Sequence, residues 1–288
     1  MKMIRIAVLP ALVTLGNAVS GFAAIAILFR VAAAPAGASA AQRLLPYEMA
    51  GLLVFLAMVF DAIDGRIARI ARATSDFGGQ LDSLADAVSF GAAPALLAYR
   101  LFMELVPVEQ TMPSLTLHRL AVVLAAVYFA CALLRLARFN VENVHDEEAH
   151  LAFRGLPTPA AAGAVAGLVI LIVDLRGGDG HEPLARYLAW ALPAALLALG
   201  ILMVSTVRYT HLLNQLIRGR RPLGYVIQIL ICIALVWFLQ EKALAALFVA
   251  YAVSGPVVLL YRKCVRPRRA ATTASAVTLE HKDDSLHA

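Results

Sequence analysis

Charge is scarce in this sequence: Asp, Glu, Lys and Arg together make up 15% of its 288 residues. A soluble domain carries about 25%, because its surface must be covered by polar side chains. Here 61% of residues are hydrophobic and the mean hydropathy is +0.78. That excludes an ordinary soluble fold and equally a disordered chain. Cysteine is also rare. Cys131, Cys232 and Cys264 are the whole set; they lie far apart and show no metal-ligand spacing, so a disulfide scaffold is excluded. Cys131 and Cys232 read as small hydrophobes within helices. What remains is an all-α, polytopic integral membrane protein.

What is present fits that class. Eight apolar segments are predicted as spans, near 13–34, 46–72, 79–103, 119–140, 158–175, 186–207, 223–240 and 243–262. Basic residues then set the orientation. With a cytoplasmic N-terminus, the inner segments hold eighteen of the 25 Lys and Arg residues, and the outer segments hold Arg30, Arg43, Arg100, Arg119, Arg176, Arg186 and Lys242. This is the sign that the positive-inside rule requires, and it places both termini in the cytoplasm. The first apolar stretch is interrupted by Thr14, Asn17 and Ser20 and runs on to Phe29, so it reads as a span rather than a cleaved leader. Residues 1–265 are expected to form one transmembrane domain, and 266–288 a disordered cytoplasmic tail. Gly163 and Gly167 form a G-x-x-x-G pair, which reads as a helix contact. The run from His145 to His150 reads as a solvated loop, and Gly177 to Gly180 as an outer turn.

The stretch that carries chemistry is DAIDGRIARIARATSDFGGQLDSLAD, residues 61–86. Asp61 and Asp64 are spaced i,i+3, and Asp82 and Asp86 i,i+4, so each pair falls on one helix face. The segment between them, 69–76, reads as a cytoplasmic turn. Two adjacent helices then point four carboxylates at one another near the inner interface. Unpaired buried carboxylates cost several kcal/mol each. Divalent cations relieve that cost, and an all-oxygen donor set selects Mg²⁺ or Mn²⁺ over Zn²⁺. Four carboxylates suffice for two ions with one left for proton transfer, which points to displacement at phosphorus. Gly65 and Gly78 lack a Cβ and let a phosphate approach the backbone. Arg69 suits bidentate phosphate binding. Two other readings stay open at this stage: ion-paired helix ends, with Arg66 and Arg69 as partners, and an intramembrane cation or proton pathway.

The same residues fill the pattern D-x2-D-G-x2-A-R-x8-G-x3-D-x3-D through Asp61, Asp64, Gly65, Ala68, Arg69, Gly78, Asp82 and Asp86. In this the chain resembles the CDP-alcohol phosphatidyltransferases. LPALVTLGN (9–17), LDSLADAVSFGAAPALLAY (81–99), LRLARFN (134–140) and FRGLPTPAAAG (153–163) look like the phosphatidylserine synthase branch, although Ala11 stands where related sequences often carry Asn. The resemblance covers roughly residues 8–210. It implies that Asp61, Asp64 and Asp82 are core metal ligands. Asp86 joins the metal site or acts as general base. Gly65, Ala68, Arg69 and Gly78 line the CDP site, with polar contacts from Thr14 and Asn17, or else those two bond helix to helix. The implied substrates are CDP-diacylglycerol and L-serine, the cofactor is a divalent metal, and the implied assembly is a homodimer in the inner membrane. A serine pocket needs a cation for the carboxylate, and Arg135 and Arg138, with Asn140 beyond them, share one face at the inner end of the fourth span. Arg208 is a further candidate in a similar position. Glycerol phosphate, inositol phosphate and choline are the competing acceptors.

Overall fold

The computed structural model describes residues 2–31, 37, 39–71, 76–106, 112–145, 153–177, 181–209 and 245–257. The described helices are α1 (Lys2–Val31), α2 (Ala40–Ala71), α3 (Asp76–Asp86), α4 (Ala93–Leu105), α5 (Met112–His145), α6 (Thr158–Gly177), α7 (Glu182–Val204) and α8 (Ala245–Val257). A π-helical turn, Ala87–Ala92, joins α3 to α4 without a break. The only extended pairing among the described residues is two residues long, β1 (Phe153–Arg154) antiparallel to β2 (Arg208–Tyr209). The all-α expectation holds.

Among the described residues, six helical stretches are long and apolar enough to cross a membrane: Ala11–Arg30, Gln42–Ile67, Phe77–Leu105, Leu115–Val141, Thr158–Gly177 and Glu182–Val204. They match the first six predicted spans to within a few residues, and the chain is a multi-pass membrane protein. The predicted span at 223–240 and the tail at 266–288 lie outside the described residues, as do Cys232 and Cys264. Of the last predicted span, Ala245–Val257 is described, as a shorter apolar helix.

Local sequence explains the element ends. α2 opens with a reciprocal capping box: the Gln42 N–H donates to Ser39 Oγ at 3.2 Å, and the Ser39 N–H donates to Gln42 Oε1 at 2.9 Å. The segment before α6 is pinned to the end of α7. The Gly155 N–H donates to the Val207 carbonyl at 2.8 Å and the Leu156 N–H to the Leu202 carbonyl at 3.0 Å. Gly155 has φ of 87°, a left-handed conformation that favours glycine. A Cβ there would also collide with the Met203 carbonyl.

Packing places α6 at the centre. Its run of Ala160, Ala161, Ala162, Gly163, Ala164 and Ala166 is buried throughout. In lipid no hydrophobic force drives helices together, so close approach of small residues does the work. A Cβ on Gly163 would come within 2.6 Å of the Phe248 ring, and one on Gly167 within 2.7 Å of Ala245 Cα. The G-x-x-x-G pair is therefore the seat of α8, as its sequence reading held. On the other side, a Cβ on Gly51 of α2 would come within 2.9 Å of Ile170. The outward faces of α1 and α2 expose Leu12, Val19, Phe22, Leu45, Leu52 and Val59, as a lipid-facing surface does.

Carboxylate proximity and hydrogen bonds link the C-terminal part of α2 to α3, α3 to the C-terminal part of α5, that part of α5 to the start of α6, and the segment before α6 to the end of α7.

Candidate active site

Asp61 and Asp64 stand one turn apart on α2, facing Asp82 on α3. One carboxylate oxygen from each of the three lies within 4.8 Å of the other two. Asp64 is 6% exposed, and Asp61 and Asp82 are half-buried. Thr14 on α1 hydrogen-bonds to the Asp64 carboxylate. Asp64 Oδ2 and Asp82 Oδ1 are buried with no hydrogen-bond partner. A buried carboxylate oxygen left unpaired is costly, and two of them converge here.

Three hard oxygen donors, two of them on carboxylates with an orphaned oxygen, fit a divalent cation of the Mg²⁺ or Mn²⁺ kind. Gly65 adds to the fit. A Cβ built there would meet nothing within 4 Å, so the space beside Asp64 is open on the backbone side. Gly78, in the first turn of α3, is half-buried. The side chains of Ala68 and Arg69 lie outside the described ones, and Arg66 is exposed.

Asp86 lies outside that group but within electrostatic reach of all three carboxylates. It is 8% exposed and accepts a hydrogen bond from Asn17 Nδ2 at 3.0 Å. Asn17 is fully buried. Thr14 and Asn17, one turn apart on α1, therefore each serve one carboxylate. These bonds join α1 to α2 and α3.

Next to the carboxylates lie the candidate acceptor residues at the end of α5. Arg135 Nη1 donates to Thr158 Oγ1 at 3.1 Å, and Thr158, the first residue of α6, is 1% exposed. Tyr251 of α8 lies within electrostatic reach of Arg135. Arg138 is half-buried. Asn140 exchanges hydrogen bonds with Ser83, its Nδ2 donating to Ser83 Oγ at 2.9 Å and its Oδ1 accepting from Ser83 Oγ at 3.1 Å. Ser83 follows Asp82, so this pair ties α5 to the carboxylate helix. The side chains of His145 and Arg208, residues 146–150 and the turn at 178–180 lie outside the described residues.

Ser83, Ser89 and Thr158 were not singled out from sequence. Serine and threonine inside spans usually make local bonds to the helix backbone, and their partners here lie 57, 72 and 23 residues away. Only the motif segments 81–99 and 153–163 contained a hint of them.

With this geometry in view, the CDP-alcohol phosphatidyltransferase family model matches residues 7–207. The chain belongs to that family. Membership makes it an enzyme, a transferase. It is similar to the CDP-diacylglycerol–serine O-phosphatidyltransferase of Methanocaldococcus jannaschii, at 34% identity over 184 residues, 64% of this chain and 72% of the relative. The protein of the same name from Helicobacter pylori is 31% identical over 216 residues, 75% of this chain and 81% of the relative. The Bacillus subtilis protein of that name is 29% identical over 204 residues, 70% of this chain and 90% of the relative.

Proposed function

We propose that this enzyme transfers the phosphatidyl group of CDP-diacylglycerol to L-serine, giving phosphatidylserine and CMP. The observation that carries the reading is the convergence of Asp61, Asp64 and Asp82 beside a separately held Asp86, in a chain similar to enzymes of that name.

The division of labour follows from the two environments. Asp61, Asp64 and Asp82 hold one or two divalent ions. When bound, Mg²⁺ or Mn²⁺ neutralises the pyrophosphate oxygens and the charge developing on the departing CMP. The open backbone at Gly65, with Gly78, Ala68 and Arg69, receives the CDP phosphates. Thr14 and Asn17 keep Asp64 and Asp86 aimed at that space from α1.

Asp86 acts as general base. The serine Oγ forms a bond to the β-phosphorus as the bond from that phosphorus to the CMP oxygen breaks. The serine hydroxyl proton passes to a carboxylate oxygen of Asp86. Burial and the fixed Asn17 bond make that transfer productive, since both hold the carboxylate at reacting distance. Arg135 and Arg138 bind the serine carboxylate, and guanidinium suits it by paired hydrogen bonds. Asn140, with its carbonyl oxygen, faces the serine ammonium. The acyl chains stay in lipid along the apolar helix faces. We place the reaction at the cytoplasmic face of the inner membrane. The domain is 1–265, with a cytoplasmic tail at 266–288, and the enzyme works as a homodimer.

The test uses purified protein with CDP-diacylglycerol, Mg²⁺ or Mn²⁺ and a panel of labelled serine, glycerol phosphate, inositol phosphate and choline. The expected product is phosphatidylserine with equimolar CMP. Label entering a different lipid would replace serine as the acceptor. Cation flux in proteoliposomes without CMP release would replace the transferase mechanism with transport.

A further inference from the structure

The π turn between α3 and α4 follows directly on Asp86. Its closing bond runs from the Ala93 N–H to the Val88 carbonyl, five residues back rather than four. Such a turn inserts one residue and shifts the helix face by about 100°. Its consequence can be read from the two halves. On α3, Asp82 and Asp86 face α1 and α2. On α4, Ala93, Leu97, Leu101 and Phe102 are buried against the rest of the bundle. One uninterrupted α-helix would put one of these two faces out of register.

Three contacts hold the turn in this form. Ser89 Oγ donates to the Asn17 carbonyl at 2.8 Å, and both residues are fully buried. The Tyr128 hydroxyl of α5 donates to the Phe90 carbonyl at 3.2 Å, with Tyr128 and Phe90 both fully buried. Gly21 of α1 lets Ser89 approach, since a Cβ there would come within 2.6 Å of Ser89 Cα. Asn17 is thus gripped twice. Its backbone carbonyl accepts from Ser89, while its side-chain amide donates to Asp86. The loop Asp86–Asn17–Ser89 closes on the turn itself.

We propose that Ser89 and Tyr128 are positioning residues for Asp86: by holding the π turn and the Asn17 backbone, they fix the carboxylate where the acceptor hydroxyl must arrive. This rests on the reading of Asp86 as the base. It gives both residues a role in turnover though neither touches substrate. It also separates them from Asp61, Asp64 and Asp82, whose cation affinity they do not set.

The experiment compares Ser89→Ala, Tyr128→Phe, Asn17→Ala, both doubles with Asn17→Ala, and Asp86→Asn. Each is assayed by CMP release from CDP-diacylglycerol and serine, and by Mn²⁺ titration. Ser89→Ala and Tyr128→Phe are expected to lower kcat by about 10- to 100-fold, as a misplaced group does. KM for both substrates and the Mn²⁺ affinity should stay within about twofold. Each double should be no more than about twofold slower than Asn17→Ala alone, because residues acting as a unit are non-additive. Tyr128→Phe keeps the ring, so its cycle stands even if Ser89→Ala fails to fold. Losses under twofold, additive losses, or a parallel loss of Mn²⁺ affinity would overturn the proposal while leaving an Asp86→Asn-sensitive enzyme as read above. Full turnover in Asp86→Asn would overturn both.

Discussion

Near the start of α2, Tyr47 is fully buried and its hydroxyl donates to the Arg100 carbonyl of α4 at 3.2 Å. Near the other end of α2, Asp64 Oδ2 and, on α3, Asp82 Oδ1 are also buried and have no hydrogen-bond partner. Both ends carry polar groups out of water, yet only one satisfies them with protein. His118 qualifies the contrast, because its ring nitrogens are buried near the Tyr47 end without a partner. An imidazole packed against Phe102, at 5.5 Å between centroids, costs far less than converging carboxylates when it is neutral. The difference teaches where the fold spends stability on a ligand. The Tyr47 end satisfies its hydroxyl with protein, and the carboxylate end leaves two buried oxygens open to a cation.

The sharpest way to break this contrast is to remove a charge from the carboxylate end. Asp82→Asn is expected to lower CMP release on the order of 10³-fold or more. In chelator its thermal midpoint should equal or exceed that of the parent, because a repulsive carboxylate is gone. A lower midpoint in chelator would mean that Asp82 is structural. Next come two glycines near the carboxylate end, one facing open space and one tightly packed. Gly65→Ala enters open space, so it should fold and gain about 1 kcal/mol from helix propensity. It should also raise the KM for CDP-diacylglycerol by about 10- to 100-fold, the effect of overfilling a binding surface. Gly21→Ala meets the Ser89 backbone and should cost about 1–3 kcal/mol in stability; thermal denaturation in detergent compares the two. A smaller effect is expected at Thr158. Thr158→Ala removes one hydrogen bond from Arg135 and should raise the KM for serine about fivefold to tenfold, with the KM for CDP-diacylglycerol unchanged. The reverse split would move Arg135 to the nucleotide. The smallest belongs to the Tyr47 end. Tyr47→Phe should cost about 1 kcal/mol of stability and leave turnover within twofold.

Much of this was legible in the sequence for physical reasons. Low charge and long apolar runs define spans, and the first six were found to within a few residues because lipid imposes both length and hydropathy. The carboxylates were legible because a bare charge in a span is conspicuous, and i,i+3 and i,i+4 spacing is enough to align Asp61 with Asp64 and Asp82 with Asp86. The π turn was not legible. Gly91 and Pro94 are local marks of an irregular helix, but they do not specify a π turn, and the contacts that hold it come from Gly21, Asn17 and Tyr128, far along the chain. The same holds for Ser83 and Thr158, whose importance lies in Asn140 and Arg135 rather than in their own neighbours. Thr14 and Asn17 were found as polar residues on the first span, but their carboxylate partners emerged only once α1 was seen against α2 and α3.

The central claim is that the carboxylates of Asp61, Asp64 and Asp82 hold a divalent cation on which transfer depends. The most direct measurement titrates Mn²⁺ into the metal-free protein and into Asp82→Asn while following CMP release in the same samples. The account predicts saturable binding that raises the thermal midpoint of the parent, CMP release that rises along the same curve, and neither response in Asp82→Asn. CMP release at the full rate in chelator, or equal Mn²⁺ affinity in the two proteins, would contradict it.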